Sequence, residues 1–180
     1  VCPLWRGLDY LERAILDSLQ AFKIKPSRAR HAITMTGELV DLFESRHDGV
    51  CKIANVATET LGEQVWFYAA HEGFVSSRVV HSFTNLIASV NWHASVSVLA
   101  LKMQNALFVD IGSTTTDIIA IKDGKVISEG ITDAYRLQSD NLVYTGIIRT
   151  PVMALAQKLP VANNDETVEI NVAAEYFATM

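Results

Sequence analysis

One stretch of the chain, residues 106–128, constrains the fold more than any other. An entirely apolar run at residues 106–109 leads into a loop of glycine, serine and threonine, and an apolar-rich run follows at residues 117–121. The Asp123-Gly124 dipeptide is typical of a tight turn, and residues 125–128 then predict a third strand. The stretch therefore predicts an antiparallel hairpin series whose first strand is buried.

Helices and short apolar strands alternate through residues 1–104, as is typical of α/β proteins. The spacing of apolar residues predicts helices at residues 4–22, 39–43, 50–61 and 82–103, and strands at residues 32–35 and 65–68. We expect a turn at residues 47–49 and a helix stop at Gly62. The order of elements predicts two lobes, with a boundary near residues 104–105.

The last part of the chain gives weaker signals. Residues 142–159 read partly as a helix, with Pro151 at or near its first turn. Residues 162–167 predict a polar loop, and residues 172–180 predict the start of another helix. Because the chain starts at Val1 rather than Met and stops shortly after this helix begins, we expect a fragment.

Composition excludes several functional classes. The 180 residues are 49% apolar with a formal net charge of -5, which argues against broad nucleic-acid binding. Cys2 and Cys51 lack disulfide or zinc-ligand spacing, so we expect two free thiols. Residues 1–10 do not resemble a signal peptide, and polar residues interrupt the apolar residues 86–101. We therefore expect a cytoplasmic protein without membrane or nucleic-acid partners, and the sequence leaves a homo-oligomer open.

The loop between the first two hairpin strands has the composition of a phosphate site. Asp110 ends the first strand, and Asp117 opens the second, close to Asp110 in space. Gly112 permits a tight turn and close approach of a ligand. Hydroxyls and backbone N–H donors follow from Ser113, Thr114, Thr115 and Thr116. Two carboxylates beside a phosphate cradle predict a Mg²⁺ site at Asp110 and Asp117, although a plain hairpin turn rich in serine and threonine is the alternative.

Residues 108–119 resemble the second phosphate loop of the actin/sugar-kinase/Hsp70-like fold. Residues 35–39, 88–94 and 142–152 narrow the resemblance to hydantoinase/oxoprolinase-related proteins linked to tetrahydromethanopterin-dependent C1 transfer. The loop alone indicates only the superfamily, whereas residues 142–152, with their Tyr-Thr-Gly and Arg-Thr-Pro motifs, are far more specific.

The resemblance implies an α/β fold of the actin-like ATPase type, with two ribonuclease-H-like lobes and a cleft between them. Residues 1–104 would be the remainder of the first lobe, and residues 105–180 the start of the second. The family's first phosphate loop and a late Gly-Gly segment have no counterpart here, which agrees with the expected fragment that is incomplete at both ends.

The resemblance also implies a reaction. Methanogen members join a furanmethyl diphosphate to the phenol of γ-glutamyltyramine and release diphosphate. The leading hypothesis is such a Mg²⁺-dependent transferase acting on a small phosphorylated substrate. Relatives of the hydantoinase and oxoprolinase type use ATP to open a cyclic amide, so an ATP-dependent hydrolase or phosphotransferase is the alternative. A noncatalytic binding module of the same fold is the third hypothesis.

Further candidate residues surround this loop in the predicted cleft. Thr36, Gly37 and Glu38 lie at a strand-to-helix junction, where Glu38 is a candidate general base and a helix start is the alternative. The resemblance makes Asn91 a hydrogen-bonding group of the cleft, while Trp92 and His93 are expected to pack.

The motif after residue 142 adds a candidate cation. Arg149 is expected to hold diphosphate or carboxylate through two parallel hydrogen bonds, and a surface ion pair is its alternative. The resemblance adds Tyr144, Thr145 and Gly146 as substrate-binding residues, with Asp133 and Arg136 in the same wall. The remaining histidines lack ligand spacing and are expected to be structural or surface residues: His31, His47, His71 and His81.

Overall fold

The computed structural model describes residues 2–128, 130–150, 152–163 and 166–172. The described residues form α-helices, short 3₁₀ turns and three sheets, so the prediction of an α/β protein is confirmed. None of the described helices has the length and apolar character required to cross a membrane. Cys2 and Cys51 are both free thiols, as predicted.

The first sheet is built from residues 31–76. Strands β1 (His31–Ile33) and β2 (Val65–Tyr68) are parallel, and β3 (Phe74–Ser76) pairs with β2 in the antiparallel direction. Helices α1 (Leu8–Ala21) and α2 (Arg46–Leu61) pack together, and α2 connects β1 to β2. The core between this sheet and the helices is apolar, and its fully buried side chains include Val50, Phe67 and Ile87.

The start of α2 differs from the prediction. Residues 38–45 form turns rather than a helix, and residues 47–49 lie inside α2 rather than in a turn. The Ser45 hydroxyl accepts a hydrogen bond from the Asp48 N–H and so caps α2. A side chain on Gly49 would lie 2.4 Å from the Glu38 carbonyl oxygen, so glycine is required where the turn crosses the helix. Gly62, with φ 92°, ends α2 as predicted.

The long helix predicted at residues 82–103 is interrupted. Helix α3 (Thr84–Ile87) ends before Ser89, and α4 (Asn91–Ala100) begins after it. Ser89 has a φ of 53°, in the left-handed region that non-glycine residues rarely occupy. The break places the first residues of α4 beside the second sheet.

The second sheet confirms the predicted hairpin series. Strands β4 (Ala106–Ile111), β5 (Thr116–Lys122) and β6 (Lys125–Ile127) are antiparallel neighbours, and β7 (Leu142–Val143) pairs with the start of β5. One face of this sheet packs on α4, where the buried side chains are Trp92, Val96, Ala100, Ile119 and Ile121.

The prediction that the first hairpin strand is buried was wrong for half of its residues. Ala106 and Phe108 pack with α4, whereas Leu107, Val109 and Ile111 are exposed. Because side chains alternate between faces of a sheet, an apolar run does not by itself show that both faces are covered.

The end of the chain also differs from the prediction. Apart from the short helix α6 (Val152–Leu155), the described residues of 142–159 are not helical. Strands β8 (Lys158–Asn163) and β9 (Glu166–Asn171) pair where a polar loop was expected. Pro151 and residues 173–180, which carry the predicted helix start and the last helix, lie outside the described residues. The actin-like arrangement and the division near residue 104 stay predictions.

Candidate functional site

A pocket of about 230 Å³ lies where the two sheets meet α4. We call it the central pocket. Segments from residue 36 to residue 144 contribute to it, so distant parts of the sequence form one surface. Its lining consists of Thr36, Leu39, Ser89, Asn91, Trp92, Thr115, Asp117, Asp133, Arg136, Leu142 and Tyr144.

The two predicted carboxylates face each other across the hairpin. Asp110 on β4 pairs in register with Asp117 on β5, so their side chains project from the same face of the sheet. That face is the one that carries Phe108 and Ile119 against α4. Asp110 is exposed, while Asp117 is largely buried in the central pocket. The structure therefore brings the two carboxylates together at the pocket edge.

Arg136 is the buried cation of the pocket. It lies on α5 (Asp133–Gln138), which Thr132 caps through the Tyr135 N–H, and its side chain is only 3% exposed. Its Nη2 donates to Asp117 Oδ1, and its guanidinium lies 4.2 Å from the centre of the Trp92 ring. Asp133 is a second carboxylate partner, at 3.7 Å from Arg136 Nη1.

The charge of Asp117 reflects opposing influences. Burial raises the pKa of the Asp117 carboxyl, and the Arg136 guanidinium opposes that rise. The nearby carboxylates of Asp110 and Asp133 add to the rise by repulsion. Asp117 therefore loses its proton less readily than an exposed aspartate, although a cation lies against it.

In the predicted phosphate loop, residues 110–117, some of the donors that the sequence assigned to a ligand form hydrogen bonds within the protein. Gly112 N–H donates to the Thr115 carbonyl oxygen at 2.8 Å, so it closes the turn and does not point at a ligand. The buried Thr116 hydroxyl donates to the Thr145 carbonyl oxygen at 2.6 Å. Ser113 is exposed, Thr114 is partly exposed, and Thr115 lines the central pocket. Of the five predicted phosphate-binding residues, these three keep groups directed to solvent or to the pocket.

A second segment, residues 144–150, holds the loop in place. Ile147 N–H donates to the Gly112 carbonyl oxygen, and Ile148 and Arg149 N–H both donate to the Ser113 carbonyl oxygen, at 2.8–3.0 Å. A side chain on Gly146 would lie 2.5 Å from the backbone of Ser113 and Thr114. Only glycine permits this approach, so Gly146 fixes the position of the loop, and its role in substrate binding stays a prediction.

The remaining residues of this segment have separate positions. Tyr144 is 53% exposed and lines the central pocket, whereas Thr145 acts through its carbonyl oxygen. Arg149 is exposed and, within the described part of the chain, forms no ion pair, so the surface ion pair considered as its alternative is not present there. Its backbone bond to Ser113 keeps it beside the loop.

The residues predicted at the first strand end occupy different depths. Thr36 is exposed and lines the pocket, but Gly37, with φ 125°, turns the chain and is not among the lining residues. Glu38 is 1% exposed and is not among the lining residues, and its role as a general base stays a prediction. Its Oε1 accepts a hydrogen bond from the Ser89 hydroxyl and lies 3.8 Å from Arg46 Nε.

Sequence reasoning missed two residues of this region. Ser89 lies in the motif at residues 88–94, but only its positive φ and its position in the pocket distinguish it from its neighbours. Arg46, which joins Glu38 to Asp133, lies 87 residues from Asp133 in the sequence. Asn91, by contrast, lines the pocket at the first turn of α4, as expected for a residue of the cleft.

The histidines are placed outside the central pocket. His93 accepts or donates at Nδ1 with the Tyr68 hydroxyl at 2.8 Å, and burial lowers its pKa. Nearby His71 adds to this lowering. The Tyr68 contact and an edge-on contact with the Trp92 ring at 5.3 Å show that His93 packs, as expected.

Carboxylates are the donors that a magnesium ion would meet at the edge of the central pocket. Within the described residues no three His, Cys, Asp or Glu side chains are grouped to hold a metal. Mg²⁺ usually retains waters and uses one or two carboxylates together with substrate phosphates. Asp110 and the Asp117 oxygen not bonded to Arg136 fit that kind of site, in which the substrate supplies further ligands.

Comparison with known proteins places these features in context. The profile of the hydantoinase/oxoprolinase family matches residues 29–170. A protein of Methanocaldococcus jannaschii named (4-{4-[2-(gamma-L-glutamylamino)ethyl]phenoxymethyl}furan-2-yl)methanamine synthase is 33% identical over 177 residues, which are 98% of this chain and 50% of that protein. A protein of the same name from Methanococcus vannielii is 47% identical over 75 residues, 42% of this chain and 32% of that protein. The chain thus spans about half the length of the Methanocaldococcus relative.

Proposed function

The chain belongs to the hydantoinase/oxoprolinase family, and on that premise we propose that it is part of a biosynthetic enzyme linked to tetrahydromethanopterin-dependent C1 transfer, which makes a furan-containing compound. The relatives' name describes a product in which a phenol oxygen is bonded to a furanylmethyl carbon. The proposed reaction forms this bond between γ-glutamyltyramine and a furanmethyl diphosphate. The phenol oxygen attacks the methylene carbon, the bond from that carbon to diphosphate breaks, and the phenol proton leaves.

The loop side of the pocket is assigned to the diphosphate. Ser113 and Thr114 offer hydroxyls at the exposed turn, and Thr115 offers one inside the pocket. Arg149 stands beside the loop, free to form paired charged hydrogen bonds with phosphate oxygens. Asp110 and Asp117 would hold Mg²⁺, which when bound neutralises charge on the leaving diphosphate.

The apolar part of the pocket lining is assigned to the aryl acceptor. Tyr144, Leu142 and Leu39 give it an apolar surface, and the Trp92 ring lies beneath Arg136. An aromatic ring packs favourably on such side chains. Asn91 and Thr36 add polar groups to the same lining, where they would orient the phenol oxygen.

One observation carries the proposal: a single pocket joins the carboxylate of Asp117 and the hydroxyl of Thr115 to an aromatic and aliphatic wall. A phosphate site alone would suit many ligands. The adjoining apolar wall suits an acceptor with an aromatic ring. Catalysis would rest on positioning and on electrostatic stabilisation of the leaving group.

The proposal is tested by turnover of the full-length protein with Mg²⁺. One reaction contains γ-glutamyltyramine and the furanmethyl diphosphate, and a parallel reaction contains ATP and cyclic amides. We expect diphosphate release and a new aryl ether in the first. ADP release with ring opening in the second alone would assign the protein to the ATP-dependent hydrolases, and ligand binding without turnover in either would favour a binding module.

The remaining parts of the proposal follow from the family. We place the chain in an actin-like, two-lobed enzyme of the cytoplasm, with the division near residue 104. A small phosphorylated substrate is its proposed partner, and nucleic acids and membranes are not. Small-angle scattering of the full-length protein, with and without the diphosphate substrate, tests the two-lobed arrangement.

A further inference from the structure

We propose that Ser89 and Glu38 form a proton-accepting pair for the acceptor phenol, an inference that rests on the proposed function. Ser89 lines the central pocket, and its hydroxyl donates to Oε1 of the buried Glu38. The two residues lie 51 positions apart in the sequence, so the fold alone brings them together. Ser89 is the catalytic residue, and Glu38, which does not reach the pocket, is a positioning residue and the final proton acceptor.

The backbone of Ser89 supports a functional role. Its φ of 53° costs a non-glycine residue free energy, and such residues often occur at functional sites. Glycine would occupy this position without strain. A serine at this position therefore costs conformational free energy, which the hydrogen bond from its hydroxyl to Glu38 offsets.

The environment of Glu38 is suited to accepting a proton. Its side chain is fully buried, and Oε2 has no hydrogen-bond partner among the described residues. The charged group that faces it is Arg46, whose Nε lies 3.8 Å from Oε1, and Arg46 in turn binds Asp133. Glu38 Oε1 is therefore the acceptor that holds the Ser89 hydroxyl at the pocket, and Asp133 shares the charge of the Arg46 cation that lies near it.

The proposed step is balanced within the pocket. As the phenol oxygen bonds to the furanmethyl carbon, its proton moves to Ser89 Oγ, and the Ser89 proton moves to Glu38 Oε1. The electron pair of the broken carbon–oxygen bond leaves with the diphosphate. A neutral phenol is a weak nucleophile, so removal of its proton during attack accelerates the step.

The test uses Ser89→Gly, which keeps the left-handed backbone and removes the hydroxyl, together with Glu38→Gln. We expect kcat to fall about 100-fold in both variants, the usual size of a general-base contribution. KM for the furanmethyl diphosphate should not change, because neither residue contacts the loop. Ser82→Ala, which removes an exposed serine from the same stretch, is the matched control and should behave as wild type. Ser89→Ala serves as a second hydroxyl deletion.

Substrate rescue separates proton transfer from a structural role. With an acceptor whose aromatic ring is fully fluorinated, the phenol is largely ionised at neutral pH, so the loss in Ser89→Gly and Glu38→Gln should shrink to about 5-fold or less. Equal losses with both acceptors would overturn the inference. Wild-type kcat in Ser89→Gly would overturn it as well and would leave the proposed function intact.

Binding of tyramine, followed by NMR titration, decides the case in which wild-type protein shows no transfer. That result would refute the proposed function, but the pair would still be expected to bind a phenol hydroxyl. We then expect tyramine to bind about 5- to 10-fold more weakly to Ser89→Gly, the value of one hydrogen bond. Equal affinity, or no binding to wild type, would overturn the inference.

Discussion

Replacement of Arg136 by methionine tests the electrostatics of the site. Methionine retains most of the apolar stem, so the change removes mainly the guanidinium. Asp117 then loses its cation while its side chain is only 16% exposed, and Trp92 loses the cation above its ring. Breaking a buried ion pair costs about 3–5 kcal/mol, and because solvent reaches Asp117 and Asp133 we expect about 2–3 kcal/mol at neutral pH.

The pH dependence of this loss has a defined sign. Burial already raises the pKa of Asp117, and Arg136 opposes the rise, so its removal raises that pKa further. A carboxyl with a raised pKa in the folded state favours folding when protonated, and this contribution is lost as pH rises through the folded pKa. The deficit of Arg136→Met relative to wild type should therefore be largest near neutral pH and shrink as pH falls towards about 4.

Urea unfolding in EDTA buffers, at about pH 7 and about pH 4.5, measures both effects. Arg28→Met, at an exposed arginine, is the matched control and should change the free energy of unfolding by less than about 0.5 kcal/mol. Asp117→Asn in the Arg136→Met background should recover part of the loss, because it removes the unpaired charge. A deficit that grows as pH falls, or none at neutral pH, would refute this account of the site.

Three other substitutions test separate parts of the structure. Gly146→Ala should cost about 1–3 kcal/mol in urea unfolding and at least about 10-fold in turnover, because its methyl group would push Ser113 away. Gly73→Ala, whose added methyl group meets no neighbour, should lose about 1 kcal/mol because its φ of 70° disfavours alanine, and should leave turnover unchanged. Asp110→Asn should lower turnover by at least about 100-fold with little change in stability. Asp123→Asn, at the far end of the hairpin, should change neither turnover nor stability. Ser45→Ala should destabilise by about 1 kcal/mol through loss of the α2 cap, whereas Ser18→Ala on the exposed face of α1 should not. A stable, fully active Gly146→Ala, an active Asp110→Asn or a neutral Ser45→Ala would contradict the respective argument.

The hairpin could be predicted from sequence because its signals are local. The Asp123-Gly124 turn has both residues at positive φ, as such a dipeptide prefers, and the flanking strands follow from their composition. The pairing of Asp110 with Asp117 then follows from the length of the loop between them. Local signals failed at residues 47–49, where the cap from Ser45 and the packing of Gly49 on Glu38 override a turn-forming dipeptide.

The rest of the site could not be predicted in this way because its contacts join distant segments. Nothing in the sequence near Gly112 shows that the Gly112 N–H closes its own turn. Nor does it show that Gly146 packs on the backbone of Ser113 and Thr114. Likewise, the burial of Glu38 depends on α2 and on the break at Ser89. These features arise from tertiary packing, which overrides local preference.

The charges at the pocket bear on the order of binding. Asp110, Asp117, Asp133 and Glu38 are four carboxylates, and within the described residues Arg136 and Arg46 are the guanidiniums paired with them. The edge of the pocket therefore has an excess of negative charge, which repels a diphosphate that approaches alone. Arg149 beside the loop offsets only part of this excess, so we expect an anionic substrate to bind together with a further cation at Asp110 and Asp117. The proposals of a metal site and of a diphosphate substrate thus depend on each other. The carboxylates that would bind the metal ion would repel the diphosphate if the metal ion were absent.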